Sequence, residues 1–125
     1  MSFIMKHVCI RVENLEESIE FYTKALGFEV SSHRDFPEGE FTLVFLKDAG
    51  SGVEIELTYN YGHGPYTIGD GFSHIAMASA DLEASYAWHK EQGYQVSEPG
   101  GLSGGIDFYF IEDPDGYEVE IVRQR

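Results

Sequence analysis

The alternation of hydrophobic and polar residues predicts a strand and then a helix near the start of the chain. Residues 7–12 alternate with a period of two, so Val8, Ile10 and Val12 form one apolar face and the residues between them point the other way. A helix is predicted next, because apolar residues then recur at helical spacing. This apolar set is Leu15, Ile19, Tyr22 and Leu26.

Residues that cap helices stand at both ends of this segment. Asn14 can accept a hydrogen bond from the first helical turn, with Glu17 placed to reach back, and Gly27 suits the left-handed conformation that ends a helix. Asp81 and Gly93 take the same places around a second segment. The chain is therefore expected to contain two helices with similar boundaries.

Strand-forming stretches follow each predicted helix. They cover 28–33, 41–47 and 53–59 in the first half and 94–97, 106–111 and 117–122 in the second. The segment Asp113-Pro114-Asp115-Gly116 predicts a tight turn between two strands. Residues 100–105 are rich in glycine and predict a mobile loop, without the lysine and strand–helix setting of a phosphate-binding loop.

The second half of the chain repeats the first. His7 aligns with His74 at an offset of 67 positions, and GVEIEL at 52–57 aligns with GYEVEI at 116–121 at an offset of 64. Each half therefore begins with a histidine and ends with glutamates, in the same order and at similar spacing.

Length and composition indicate one domain over residues 1–125, with modules of about 1–66 and 67–125. The sequence has no run of eighteen apolar residues, so no membrane span is expected, and the N-terminus lacks the features of a signal peptide. Cys9 is the only cysteine, which excludes an internal disulfide and fits a cytoplasmic protein. The net charge of −14, with eight scattered basic residues, argues against nucleic-acid binding.

Alternation also leaves histidines and carboxylates on the face that no helix covers. Each terminal strand puts two glutamates on this face: Glu54 and Glu56 in the first module, Glu118 and Glu120 in the second. If the modules pack with approximate two-fold symmetry, or exchange between chains, two histidines and two glutamates can converge. Such a set suits zinc, nickel, cobalt, iron or manganese, with positions left open for water or substrate. Strand geometry does not choose between the two glutamates of each pair.

Simpler interpretations compete with a metal site. A strand histidine is often only hydrogen-bonded, and a glutamate on an open sheet face is often only solvated. His33, His63 and His89 have no histidine at the repeated position and are expected to be surface or loop residues. Cys9 shares the His7 face and is expected to be a buried, inert thiol.

Several motifs resemble the glyoxalase I family of the vicinal oxygen chelate superfamily, over residues 6–122. The motifs are H-V-C-I-R-V, E-S-I-E-F-Y-x-K-x-L-G-F, I-E-L-T-Y-N-Y-G, S-H-I-A-M and F-I-E-D-P-D-G-Y-E-V-E-I. The resemblance implies an α+β fold of two tandem βαβββ modules. It also implies a homodimer in which each metal site draws on both chains.

The resemblance further implies one divalent metal held by His7, Glu56, His74 and Glu120, with nickel or cobalt favoured and zinc possible. The family is a group of carbon–sulfur lyases that isomerise the hemithioacetal of methylglyoxal and a thiol, here glutathione, to S-lactoylglutathione. Glu120 then takes the role of main base and Glu56 of its partner. Arg11 and Asn60 take the role of holding the glutamyl end of glutathione.

One departure from the family bears on the thiol. Relatives that use glutathione carry a lysine in the glycine-rich loop, where this chain has Ser103, and a basic residue after the first helix is displaced, with His33 and Arg34 nearby. Two alternatives therefore stay open. One is an enzyme of the same fold that uses another thiol or substrate, such as a dioxygenase or thiol transferase, and the other is a non-catalytic binding protein of the same fold. The metal, the product stereochemistry and the use of one chain or two per site also stay open.

Overall fold

The structural elements follow the order βαβββ in the first half of the chain and βαββ in the second. The computed structural model describes residues 1–101 and 106–125. It divides the chain into two compact units, Met1–Thr67 (unit 1) and Ile68–Arg125 (unit 2). The part of the predicted glycine-rich loop at 102–105, with Ser103, lies outside the described residues.

Unit 1 is a four-stranded sheet with one helix. Its elements are β1 (His7–Arg11), α1 (Leu15–Leu26), β2 (Glu29–Phe36), β3 (Phe41–Lys47) and β4 (Glu54–Asn60). The strand order is β1-β4-β3-β2, in which β1 runs parallel to β4 and the other neighbours are antiparallel. The first and last strands of the unit are therefore hydrogen-bonded to each other, and their residues are direct neighbours.

Unit 2 repeats this arrangement with a smaller sheet. Its elements are β5 (His74–Ser79), α2 (Leu82–Glu91), β6 (Phe108–Glu112) and β7 (Glu118–Arg123). The strand order is β5-β7-β6, and β5 runs parallel to β7. The α+β class and the repeated module predicted from the sequence are confirmed.

The strand predicted at 94–97 is reduced to a bridge. Val96 pairs with Ile111 on β6 through two backbone hydrogen bonds, from the Ser97 N–H to the Phe110 carbonyl and from the Glu112 N–H to the Gln95 carbonyl. Pro99 lies two residues after this segment and has no amide hydrogen, so a regular ladder cannot continue there. The described residues of unit 2 therefore form three full strands where the repeat predicted four.

Both predicted helix starts are confirmed by their capping bonds. The Asn14 Oδ1 accepts from the backbone N–H of Glu17 at 3.0 Å, and the Asp81 Oδ1 accepts from that of Ala84 at 3.0 Å. Gly27 ends α1 with φ at 77°. Neither helix in the described part of the chain has the length and apolar character needed to cross a bilayer.

The core of unit 1 lies between α1 and one face of the sheet. The helix buries Phe21, Tyr22 and Ala25 against strand residues that alternate inward. These strand residues are Ile10, Val44, Leu46, Ile55 and Leu57. Because alternate residues point away from the core, the same strands present a second face that α1 does not cover. This second face, which carries His7, is called the His7 face below.

The expectation that His89 is a surface or loop residue is wrong. Its side chain is buried on α2, and its Nδ1 lies 2.7 Å from the hydroxyl of Tyr109 on β6. That hydroxyl also donates to the Oγ of Ser85 at 3.1 Å. His33 and His63 are exposed, as expected.

Replacing Tyr109 by phenylalanine is expected to lower the free energy of unfolding by about 1–3 kcal/mol, because a buried imidazole nitrogen loses its hydroxyl partner. Urea denaturation of the purified protein measures this change. Tyr86→Phe is the matched control, since the Tyr86 ring packs edge-on against Tyr109 at 5.1 Å. A loss no larger in Tyr109→Phe than in Tyr86→Phe would contradict a stabilising role for the network.

Candidate active site

The first predicted pair of site residues lies on the two parallel strands of unit 1. The Nε2 of His7 on β1 lies 3.7 Å from the Oε1 of Glu56 on β4. The backbone register sets Glu54, not Glu56, opposite His7. The Glu54 carboxylate, however, accepts a hydrogen bond from the hydroxyl of Ser31. The side chain that lies beside His7 is therefore that of Glu56, whereas the side chain of Glu54 is bound by Ser31.

Unit 2 contains the same pair. The Nε2 of His74 on β5 lies 3.4 Å from the Oε1 of Glu120 on β7. The Nδ1 of His74 lies 2.7 Å from the Ser73 Oγ, which holds the ring from its other side. Glu118, opposite His74 in the register, is exposed.

A phenylalanine supports the imidazole in each unit. The His7 ring meets the ring of Phe45 edge-on at 5.2 Å, and the His74 ring meets that of Phe110 edge-on at 5.2 Å. Each phenylalanine pairs in the sheet with the glutamate of its unit. The two units thus reproduce one local arrangement of histidine, glutamate and phenylalanine.

Each pair offers one nitrogen and one oxygen at a separation close to that of two ligands on one metal. Bonds of about 2.1 Å at tetrahedral or octahedral angles set such donors about 3–3.5 Å apart. All four side chains are partly covered, with exposed fractions between 16% and 40%. The donor chemistry therefore fits a divalent metal. Within residues 1–101 and 106–125, no group of three or more histidine, cysteine, aspartate or glutamate side chains gathers as a metal site.

The expectation that Cys9 is buried is wrong. The residue is exposed, and its Sγ lies 3.2 Å from the Oγ1 of Thr58. Desolvation of the sulfur raises the pKa of the Cys9 thiol, and Glu56 raises it further, while the Thr58 hydrogen bond lowers it in part. The thiol is therefore protonated at neutral pH, which does not suit a nucleophile.

The two residues predicted to bind substrate lie beyond Glu56 on the His7 face. Arg11 ends β1 and is exposed, and Asn60 ends β4. The Nδ2 of Asn60 donates to the Tyr66 hydroxyl at 2.8 Å, and the Tyr66 ring is stacked on that of His63 at 3.9 Å. Sequence reasoning missed Tyr66, because the contact is made by a loop without periodic pattern.

A groove of about 370 Å³ lies on the opposite side of the sheet, at the start of α1. It is lined by Asn14, His33, Asp35 and Thr42, among others, and by none of the predicted site residues. Hydrogen bonds from Thr42 and then from His33 lower the pKa of Asp35. His33 and Thr42 are both hydrogen-bonded to Asp35, and the groove lining contains no histidine–glutamate pair like those at His7 and His74.

Comparison with known proteins gives consistent matches over nearly the whole chain. Residues 4–121 match the family model described as the glyoxalase/bleomycin resistance protein/dioxygenase superfamily. A probable lactoylglutathione lyase of Synechocystis is 39% identical over 94% of this chain and 92% of its own length. A probable chloroplastic lactoylglutathione lyase of Arabidopsis thaliana is 43% identical over 96% of this chain, which spans 35% of that longer protein.

Among solved structures, the trypanothione-dependent glyoxalase I of Leishmania major superposes with a TM-score of 0.86 at 37% identity, over 98% of this chain and 87% of its own.

Proposed function

This chain belongs to the glyoxalase/bleomycin resistance protein/dioxygenase superfamily and within it to the lactoylglutathione lyases, and on that basis we propose that it is a metal-dependent glyoxalase I. Its reaction is the isomerisation of the hemithioacetal of methylglyoxal and a thiol, with glutathione as the thiol, to S-lactoylglutathione. The observation that carries the proposal is the His–Glu pair that recurs in the same register in both units.

The proposed metal ligands are His7, Glu56, His74 and Glu120. The support for this choice is the donor separation in each pair and the mixed nitrogen and oxygen chemistry, which suits nickel, cobalt or zinc. When bound, the metal supplies Lewis-acid stabilisation of the negative charge that develops on the substrate oxygens. We propose a homodimer in which both chains contribute to each metal site.

Proton transfer is assigned to the two glutamates. Glu120 removes the proton from the carbon that bears sulfur, and a proton returns to the neighbouring carbon, with Glu56 as the partner for the other face of the substrate. The hydrogen moves between adjacent carbons of one molecule, so no oxidant or reductant is consumed. Each carboxylate is partly covered and lies beside an imidazole, which holds it in a defined position to take a proton.

Substrate binding is assigned to Arg11 and Asn60. Arg11 offers a guanidinium for a carboxylate of the thiol, and Asn60 offers an amide oxygen for its ammonium group. The hydrogen bond from the Asn60 Nδ2 to Tyr66 supports this orientation of the amide. We further propose that residues 1–125 act as one domain in the cytoplasm, with a small molecule as substrate and neither nucleic acid nor a membrane as partner.

The test of this function is reconstitution followed by a thioester assay. The metal-free protein is loaded with nickel, cobalt or zinc, and methylglyoxal is supplied with glutathione or another low-molecular-weight thiol. We expect S-lactoyl thioester to form and its rate to fall to the uncatalysed level when a chelator removes the metal. Absence of thioester with every metal and thiol would reject the proposal, and substrate binding without turnover would favour a binding protein.

A further inference from the structure

The His7 face carries a second arginine that the proposed function does not use. On β2, Arg34 pairs with Leu43, whose neighbours Val44 and Thr42 on β3 point into the core. Leu43 and Arg34 therefore point the other way, toward the side of the sheet that carries His7. Arg34 is exposed there.

Arg34 lies over one ring of a stacked aromatic pair. Its guanidinium carbon lies 5.2 Å from the centre of the Phe36 ring, and Phe36 is stacked on Phe41 at 4.8 Å. Gly39 makes room for this stack, because a Cβ there would come within 2.6 Å of the Phe41 ring. Arg34, Phe36 and Phe41 are called the Arg34 platform below.

The platform lies in line with the proposed substrate residues. One row of paired residues crosses the four strands and consists of Arg34, Leu43, Thr58 and Arg11. In the next row on the same face of the sheet, Phe41 pairs with Asn60. Three strand spacings separate the Cα atoms of the two arginines by about 14 Å. Asn60 on β4 lies two strand spacings from Phe36 on β2, about 10 Å, which is the length of an extended tripeptide.

The charge of Arg34 is not neutralised within unit 1. None of the ion pairs found among residues 1–101 and 106–125 involves Arg34, although the chain holds 22 acidic residues. A guanidinium with one face on a ring keeps its N–H groups at the edge, where they can bind both oxygens of a carboxylate.

We propose that Arg34 is a second anion-binding residue of the substrate site and that it recognises a carboxylate of the hemithioacetal, with Phe36 and Phe41 covering the apolar atoms beside it. This inference rests on the proposed function, because it places the substrate on the His7 face. The carboxylate has two possible sources, the thiol half and the 2-oxoaldehyde half of the substrate.

Two arms of one experiment separate these sources. The thiol arm compares glutathione with its glycyl ethyl ester, both with methylglyoxal. The aldehyde arm compares 4-carboxyphenylglyoxal with phenylglyoxal, both with glutathione. In each arm, kcat/KM with the charged compound is divided by kcat/KM with the neutral compound. This ratio is measured for the metal-loaded wild type and for Arg34→Met.

In one arm, we expect Arg34→Met to lower the ratio about tenfold, mainly through KM, since a charge-assisted hydrogen bond is lost. Arg34→Lys is expected to restore only part of it, because an ammonium cannot bind a carboxylate in two places. The arm that responds identifies the half that carries the carboxylate. Ratios unchanged by Arg34→Met in both arms would overturn the proposal.

Lys24→Met is the matched control. Lys24 lies on α1, which packs on the opposite face, and it pairs with Glu20 at 3.2 Å. The control removes the same charge from unit 1 and is expected to leave both ratios unchanged, whereas an equal fall would show a general electrostatic effect and reject a specific role for Arg34.

A binding measurement keeps this test separate from the proposed function. Calorimetric titration with S-methylglutathione and its glycyl ethyl ester needs no turnover. If the wild type shows no activity with any thiol, the proposed function fails. Arg34 is then judged by titration alone, with 4-carboxyphenylglyoxal and phenylglyoxal titrated as a second pair, and equal binding of the charged and neutral compounds in both pairs would also reject it.

Discussion

Replacing Glu120 by glutamine is expected to lower kcat for hemithioacetal isomerisation by about 100-fold or more. A positioned general base contributes about 10²–10⁴ in rate, and an amide cannot take the proton. Glutamine keeps one oxygen as a possible metal ligand, so metal content is expected to fall less than activity. Steady-state kinetics of the reconstituted protein, with metal analysis of the same samples, separates the two effects.

Glu118→Gln provides the control for this prediction. Glu118 lies two residues before Glu120 on the same strand, and the same charge is removed. Its side chain is exposed, whereas that of Glu120 contacts His74. Turnover near the wild-type value in Glu118→Gln is expected, and near-normal turnover in Glu120→Gln would show that another group acts as the base.

Replacing His7 by alanine is expected to weaken binding of nickel or cobalt by at least about 100-fold. Loss of a group that only supports a ligand already costs about 10–100-fold in metal affinity, and loss of a ligand should cost no less. Competition with a chromophoric chelator measures the affinity without an activity assay. His74→Ala is expected to give a similar loss, because its pair with Glu120 repeats the pair of His7 with Glu56.

His33→Ala is the control for metal affinity. His33 lies in the same unit, is exposed and pairs with Asp35 at 3.3 Å. Its removal is expected to leave the metal affinity within about twofold of wild type, since it is not a proposed ligand. An affinity unchanged in His7→Ala, or lowered equally in His33→Ala, would contradict the proposed ligand set.

Alternation and capping predicted most of the elements because these signals are local. The predicted strand 41–47 coincides with β3, and Asn14 and Gly27 bound α1 as expected. A strand with one buried face needs apolar residues at every second position, and a helix end needs a partner for its free N–H groups. Both requirements are met by neighbours in sequence.

The errors arose where distant residues decide the outcome. His89 is buried because Tyr109, twenty residues away, supplies a hydroxyl for its ring nitrogen. The strand expected at 94–97 depends on how far β6 can pair with it, and Pro99 limits that pairing. Cys9 is exposed because no element of unit 1 covers the His7 face. No local pattern encodes these partners.

Strand periodicity did not choose between neighbouring glutamates, although the resemblance to the glyoxalase I family implied Glu56 and Glu120. Alternation places Glu54 and Glu56 on one face and cannot rank them. The parallel register of β1 and β4 brings the His7 side chain near Glu56, while Ser31 binds Glu54. Ser31 can do so because the register of β2 shifts between Val30 and Ser32. The same shift puts Arg34 on the His7 face, since an extra residue reverses the alternation of all that follow.

For this protein, the sequence by itself determined the repeat, the α+β class and the face on which the histidines and glutamates lie, because strand and helix periodicity depend on neighbours along the chain. Tertiary structure decided what periodicity left open: which glutamate contacts each histidine, that Tyr66 engages Asn60 and that Arg34 lies in line with Arg11. These contacts depend on strand register and loop path, and both are set by the packing of segments far apart in sequence.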